Sequence, residues 1–136
     1  MEKITFSEDQ INEFIKSLDF SKNNGLISIV AQDFKTNEVL MVAFANEDAV
    51  RETLKSGIVT YWSRSRNELW KKGETSGHVQ KLKQAMVDCD GDCLLVKVDQ
   101  VMGACHTGYF SCFYRELNDT GLKIIGEKKF DPKEVY

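Results

Sequence analysis

The 136-residue sequence is short of several things, and each shortage narrows what the chain can be. Its one proline, Pro132, lies in a charged C-terminal stretch, which excludes polyproline tracts, proline-rich linkers and collagen-like repeats. There is no excess of positive charge: 18 Lys+Arg stand against 21 Asp+Glu, giving a net charge of −3 and a pI near 5.4. General nucleic-acid binding, which needs a basic face, is disfavoured, although a local basic patch for a phosphorylated small molecule is still allowed. The longest apolar run, Val39 to Ala45, is far too short to span a bilayer. The N-terminus, Met1-Glu2-Lys3-Ile4-Thr5, has no apolar h-region. The expectation is therefore a cytoplasmic protein with no membrane association. None of the four cysteines forms a Cys-x-x-Cys knuckle, which argues against a zinc finger or ribbon.

What is present suffices for a folded domain. Hydrophobic residues make up 42% and charged residues 29%, the usage of an ordinary globular chain that can bury its own core. With no repeat, low-complexity tract or linker, residues 1–136 read as a single domain. Ser7-Glu8-Asp9-Gln10 is a capping box, followed by one apolar stripe of Ile11, Phe14, Ile15 and Leu18. Asn46 is suited to cap a second helix running to Lys55 and ended by Gly57. Strands are expected at Leu26–Asp33, Glu38–Phe44, Ile58–Ser63, Val79–Asp88, Leu94–Val101 and Ser111–Leu117. A polar loop is expected over Arg64–Gly77, and a last hairpin over Leu122–Lys129 after the turn Asn118–Gly121. The fold class predicted is α+β, with a mostly antiparallel sheet and two short helices.

The chemistry concentrates between Asp88 and Cys112. All four cysteines (Cys89, Cys93, Cys105, Cys112), His106 and the alternating Asp88, Asp90 and Asp92 fall within 25 residues. Thiolates and imidazole suit zinc, whereas carboxylates suit magnesium or calcium. A disulfide scaffold would not need the aspartates. Free cysteines can also be small buried hydrophobes, and Asp-x-Asp is commonly a solvated turn. Four thiols beside a histidine, with one threaded between the aspartates, weigh towards a metal site. An EF-hand fails in detail, because Cys93 and Asp99 stand where its glycine and bidentate glutamate belong.

Upstream, Ser63-Arg64-Ser65-Arg66 offers two guanidiniums and two hydroxyls to phosphate oxygens. Trp70 offers a face for a base, and Lys72, Thr75 and Ser76 add an ammonium and hydroxyls in a stretch loosened by Gly73 and Gly77. A charged loop is often only a solvated one. Placed before a metal segment, this one reads as the phosphate end of a nucleotide site. His106, next to Cys105, suits general acid–base work near neutral pH, and His78 is a second candidate.

Taken together, the chain strongly resembles the phosphoribosyl-AMP cyclohydrolases of histidine biosynthesis. The resemblance rests on Gln32-Asp33, Glu38-Val39-Leu40-Met41, Ser63–Arg66, Leu69-Trp70-Lys71-Lys72-Gly73-Glu74-Thr75-Ser76-Gly77-His78-Val79-Gln80, Asp88–Asp92, Cys105-His106-Thr107-Gly108 and Ser111-Cys112-Phe113. It implies a pseudobarrel-like sheet in an intertwined homodimer, zinc on Cys89, Cys105 and Cys112, and magnesium on Asp88, Asp90 and Asp92. It further implies that Cys89 comes from one subunit and the other two thiols from its partner. Cys93 departs from the family pattern and is expected to be a core residue. The reaction implied is addition of water at C6 of an N1-phosphoribosylated adenine nucleotide, with His106 as general base and then acid. Only 23 residues follow Phe113, so the pyrophosphohydrolase of bifunctional relatives is expected in another protein. Two rivals remain: a zinc nucleobase deaminase, whose His-x-Glu and Cys-x-x-Cys signature is absent, and a non-catalytic zinc-binding interaction module.

Overall fold

The computed structural model describes residues 3–135. Helix α1 (Glu8–Lys16) starts where the capping box predicts: Gln10 N donates to Ser7 Oγ and Ser7 N to Gln10 Oε1, at 3.3 and 2.9 Å. Its buried face is Ile11 and Ile15. Strands β1 (Ile27–Asp33) and β2 (Val39–Ala45) form an antiparallel hairpin. Helix α2 (Glu47–Ser56) is capped by Asn46, whose Oδ1 accepts from Ala49 N at 2.9 Å, and is closed by Gly57 at φ +75°. β3 (Thr60–Ser63) and β4 (Glu68–Lys71) make a second hairpin, β5 (Gln80–Val87) and β6 (Cys93–Gln100) a third, and β7 (Arg115–Asn118) with β8 (Gly121–Ile124) a fourth.

The largest sheet runs β2-β1-β6-β5, and its β1–β6 pair is the parallel one. Strand alternation sends Ile27, Ile29, Ala31, Leu94, Val96, Val98 and Leu82 to one face, where they pack with Ile11, Ile15, Val50 and Leu54 of the helices. The opposite face carries a single apolar row, Val42–Val30–Leu95–Met86, in register across all four strands. Val42 in that row is 50% exposed. Among the described residues no helix is long and apolar enough to cross a membrane.

Several expectations need correcting. The sheet does not close into a barrel, because short segments take its two edges. Val59 N and Leu82 N exchange bonds between β5 and the Gly57–Val59 segment, while Cys112 N donates to Leu40 O on β2 at 2.7 Å. The polar loop after Ser63 contains β4, since Trp70 pairs with Tyr61 and Leu69 with Trp62. The strand expected from Ser111 begins only at Arg115, and the last hairpin straddles the turn Asn118–Gly121 rather than following it. Cys93 is not in the core. It is half-buried on the outer face of β6, opposite Ser28, because the parity that buries Leu94 turns its neighbour outward.

Candidate active site

After β6 the chain enters a compact loop. Ala104 N and Cys105 N donate to Phe110 O and Tyr109 O, and Gly108 N turns back to Cys105 O at 3.0 Å. This fold buries Cys105 and leaves His106 exposed at its tip. Farther along, Ser111 Oγ donates to Val39 O at 2.6 Å, and with the Cys112 amide it pins the second thiol to β2. Cys105 and Cys112, seven positions apart in sequence, are thus brought together closely enough for the Cys112 thiol to feel the charge of Cys105. Thr107 Oγ1 lies 2.9 Å from Cys105 Sγ.

Part of this loop borders a cavity of about 290 Å³. Cys112, His106 and Ala104 form one wall, Trp70 and Met41 another, and Arg66, Lys72, Thr75 and Ser76 much of the rest. Lys72 is buried; its ammonium donates to Ala104 O and sits 5.3 Å from the Trp70 ring. Desolvation draws the Lys72 pKa down, and the two neighbouring thiols oppose that pull. Lys72 therefore braces the cysteine loop, while the exposed Arg66, whose guanidinium pairs with Glu68 Oε1 at 3.4 Å, borders the cavity. Ser63 Oγ accepts from Arg66 N at 3.3 Å and lies 3.4 Å from Ser65 Oγ, so the two serines shape the turn that presents Arg66. Arg64 points elsewhere: it stacks 4.0 Å above Phe44 and lines a different cavity with Trp62.

The paired sulfurs supply a test of metal fit. Loss of water and the adjoining Cys105 push the Cys112 thiol up to about 12, so two thiolates facing each other are disfavoured as they stand. A soft divalent cation between them would remove that penalty, so the donor set fits zinc. The second candidate site is the turn after β5. Carboxylate oxygens of Asp88, Asp90 and Asp92 all lie within 4.8 Å of one another. Gly91, at φ +77°, makes the bend, and its carbonyl accepts from Asp19 N at 2.7 Å. Asp88 Oδ1 accepts from Asp92 N and Cys93 N, each at 3.1 Å. Despite desolvation, those amide bonds hold Asp88 below the usual carboxylate range, whereas the hydrogen bond to Asp90 and desolvation raise Asp92. Lys22 Nζ stands 3.6 Å from both Asp90 and Asp92. An all-oxygen set of this kind fits a hard cation. Cys89, in the same turn, is exposed, and the aspartates are the sole group of three or more potential ligands found together among the described residues.

Beneath the cavity lies a buried polar relay that sequence reasoning missed. Tyr61 Oη donates to Gln80 Oε1 at 2.6 Å, Gln80 Nε2 to Gln100 Oε1 at 2.9 Å, and Gln100 Nε2 to the His78 carbonyl at 3.2 Å. Tyr61 and Gln80 are fully buried, so each link carries the full cost of a lost partner. Gln80 lies in the quoted motif, but nothing in its spacing announces partners on two other strands. The relay fixes the backbone of His78, whose ring is buried with Nδ1 unpartnered.

The comparisons with known proteins bear on the same residues. A family model described as phosphoribosyl-AMP cyclohydrolase matches residues 41–114, from the Met41 wall of the cavity through both thiols. The chain belongs to the phosphoribosyl-AMP cyclohydrolase family. It is 55% identical over 120 residues to the phosphoribosyl-AMP cyclohydrolase of Desulfatibacillum aliphaticivorans, covering 88% of this chain and 96% of that protein. A Methanosarcina acetivorans protein of the same name is 58% identical over 113 residues, covering 83% and 92%. A histidine biosynthesis bifunctional protein of Thermoanaerobacter pseudethanolicus is 51% identical over 126 residues, 93% of this chain but 58% of its own length. In this phosphoribosyl-AMP cyclohydrolase family member, every residue lining the Cys112 cavity is thus drawn from the matched segment.

One consequence is measurable. Desolvation, then the nearby Lys72 charge, hold the His78 pKa below the usual 6.5. The unfolded chain takes up that proton near pH 6.5 and the folded chain only at lower pH, so stability falls as pH drops through this window. Thermal midpoints should therefore fall between about pH 7.5 and 5.5, and fall less in His78→Gln. Equal losses in both proteins would show that His78 contributes nothing to the pH dependence.

Proposed function

We propose that residues 1–136 act as one zinc-dependent hydrolase domain that opens the adenine ring of N1-(5-phosphoribosyl)-AMP at the N1–C6 bond, a step of histidine biosynthesis. The observation that carries this reading is the convergence of Cys112, His106, Trp70 and Arg66 on one cavity, with the Cys105 thiol beside Cys112. Cys105 and Cys112 would hold zinc, which when bound supplies a Lewis acid that makes water nucleophilic near pH 7. Trp70 would stack the purine and Arg66 would take a phosphate. His106, exposed at the loop tip, would remove a proton from the attacking water and return it to the departing ring nitrogen. Alkylation at N1 leaves C6 electron-poor, which is why addition occurs there. Arg64, in its separate cavity, would serve the second phosphate, and Asp88, Asp90 and Asp92 would hold magnesium beside a phosphate or ribose.

The protein would work as a cytoplasmic homodimer, with Cys89 of the partner subunit completing the zinc set. Two features support this: Cys89 is exposed away from Cys105 and Cys112, and the Val42–Val30–Leu95–Met86 row offers an apolar face for a second copy. Incubation with N1-phosphoribosyl-AMP should give the ultraviolet shift of ring opening. Release of ammonia with the ring intact would mean a deaminase, and zinc uptake without any turnover would mean a binding module.

Hard and soft donors should also sort between the metals. Asp90→Asn is expected to weaken substrate binding and abolish magnesium dependence while zinc content stays at the wild-type level. Zinc lost from that variant, measured by metal analysis, would place the aspartates in the zinc shell.

A further inference from the structure

The C-terminal segment lies beyond residues 41–114, which the family model matches, yet it is built into the loop that carries Cys105 and His106. Phe110 N donates to Glu127 O at 2.9 Å, and Lys129 N and Phe130 N both donate to Gly108 O, at 2.7 and 3.3 Å. Tyr109 and Lys128 form an antiparallel bridge. The loop is thus the middle layer of a small ladder, bonded to itself on one side and to the tail on the other. The packing is tight enough to require glycine. A Cβ at Gly108 would sit 2.4 Å from Phe130 O, and one at Gly103 would sit 3.2 Å from Phe130 Cε1 and 2.7 Å from Tyr109 O. Phe130 also meets the His78 ring edge-on, with centroids 4.5 Å apart. Phe130 therefore reaches both ends of the Gly103–Gly108 loop, Gly103 through its ring and Gly108 through its backbone, and its ring also packs on the histidine behind the loop.

We propose that Glu127–Phe130 is a positioning strand for the metal-binding loop, and that Phe130 sets where Cys105 and His106 stand. The strand acts by fixing Gly103 and Gly108, the residues that bracket them. Most of the main core lies around Ile29, Leu82, Val96 and the helices, and the loop adds to it only through Ala104 and the flanking Phe110, so loosening the tail should disturb the loop without unfolding the sheet. Ångström-scale displacement of catalytic or ligating groups costs on the order of ten- to a hundredfold in rate.

This inference rests on the function proposed above, and its test separates the two. In the full chain, Phe130→Ala should lower kcat about tenfold or more with KM changed by less than about twofold, and Phe130→Leu should recover most of the loss. Cobalt substituted for zinc adds a readout independent of turnover: the thiolate-to-cobalt absorption of Phe130→Ala should be shifted or weakened before any substrate is added, with the far-ultraviolet circular dichroism unchanged. Lys129→Pro, which deletes the amide bond to Gly108 but keeps the ring, should show the same spectral change if Phe130→Ala does not fold. Wild-type kcat and a wild-type cobalt spectrum in Phe130→Ala would overturn the proposal. So would a variant that is merely less stable, with kcat and spectrum intact. A wild-type protein that fails to open the ring while its cobalt spectrum still responds to Phe130→Ala would instead count against the proposed reaction and for the strand.

Discussion

Replacing Cys105 or Cys112 by alanine is expected to reduce ring opening by more than about a thousandfold, because the water then keeps its bulk pKa of about 15.7 at neutral pH. The two thiols stand beside each other at the cavity wall, so deleting either leaves a single sulfur where two were held. Chelation of the wild-type protein should have the same effect on turnover. Neither treatment should unfold the chain. The apolar cluster that joins α1 and α2 to the four-stranded sheet draws on Ile27, Ile29, Leu40, Leu94 and Val96, and neither Cys105 nor Cys112 belongs to it. Far-ultraviolet circular dichroism recorded beside turnover decides the matter. Global unfolding on chelation would make the metal structural. Cys93→Ala is the internal control: on the outer face of β6, away from the cavity, it should retain zinc and rate.

What could be read from the chain alone was local. Ser7 and Gln10, Asn46 and Gly57 mark helix ends through bonds to residues three or four away, and both helices lie where those signals put them. The Asp88–Asp92 turn is also closed locally, by Gly91 and the Asp88 carboxylate within five residues, although Asp19 and Lys22 then hold it from outside. Legibility failed where a distant partner decides. Glu68–Lys71 looks like charged loop until Trp70 finds Tyr61 across the hairpin, with rings 5.4 Å apart. Ser111 and Cys112 have strand-like neighbours, but the edge of β2 takes their hydrogen bonds and holds them outside any ladder. The Tyr61–Gln80–Gln100 relay joins three strands, and no short motif encodes it. Cys93 was a matter of parity: the apolar run beginning at Leu94 shows a buried strand, but not that its preceding residue points the other way. The separation of Arg64 from Arg66 has the same origin, because a turn of the chain sends neighbouring guanidiniums to different cavities.

Mixing two dead proteins should restore activity. Within one chain Cys89 is exposed on the aspartate turn, apart from the thiol pair, and a three-sulfur site needs it to arrive from somewhere. If it arrives from a two-fold partner, Cys89→Ala and Cys105→Ala are each inactive for complementary reasons. Unfolded together and refolded, half of the dimers should be mixed under random pairing. In a mixed dimer one site collects both substitutions, and the other collects none and works. Half of the sites in half of the dimers gives a recovery approaching about a quarter of wild type, with homodimers of either variant contributing nothing. Should Cys89 instead swing to the thiols of its own chain, every site in every dimer would lack a ligand. A refolded mixture proven by native mass spectrometry to contain heterodimers, yet without turnover, would therefore eliminate the shared site.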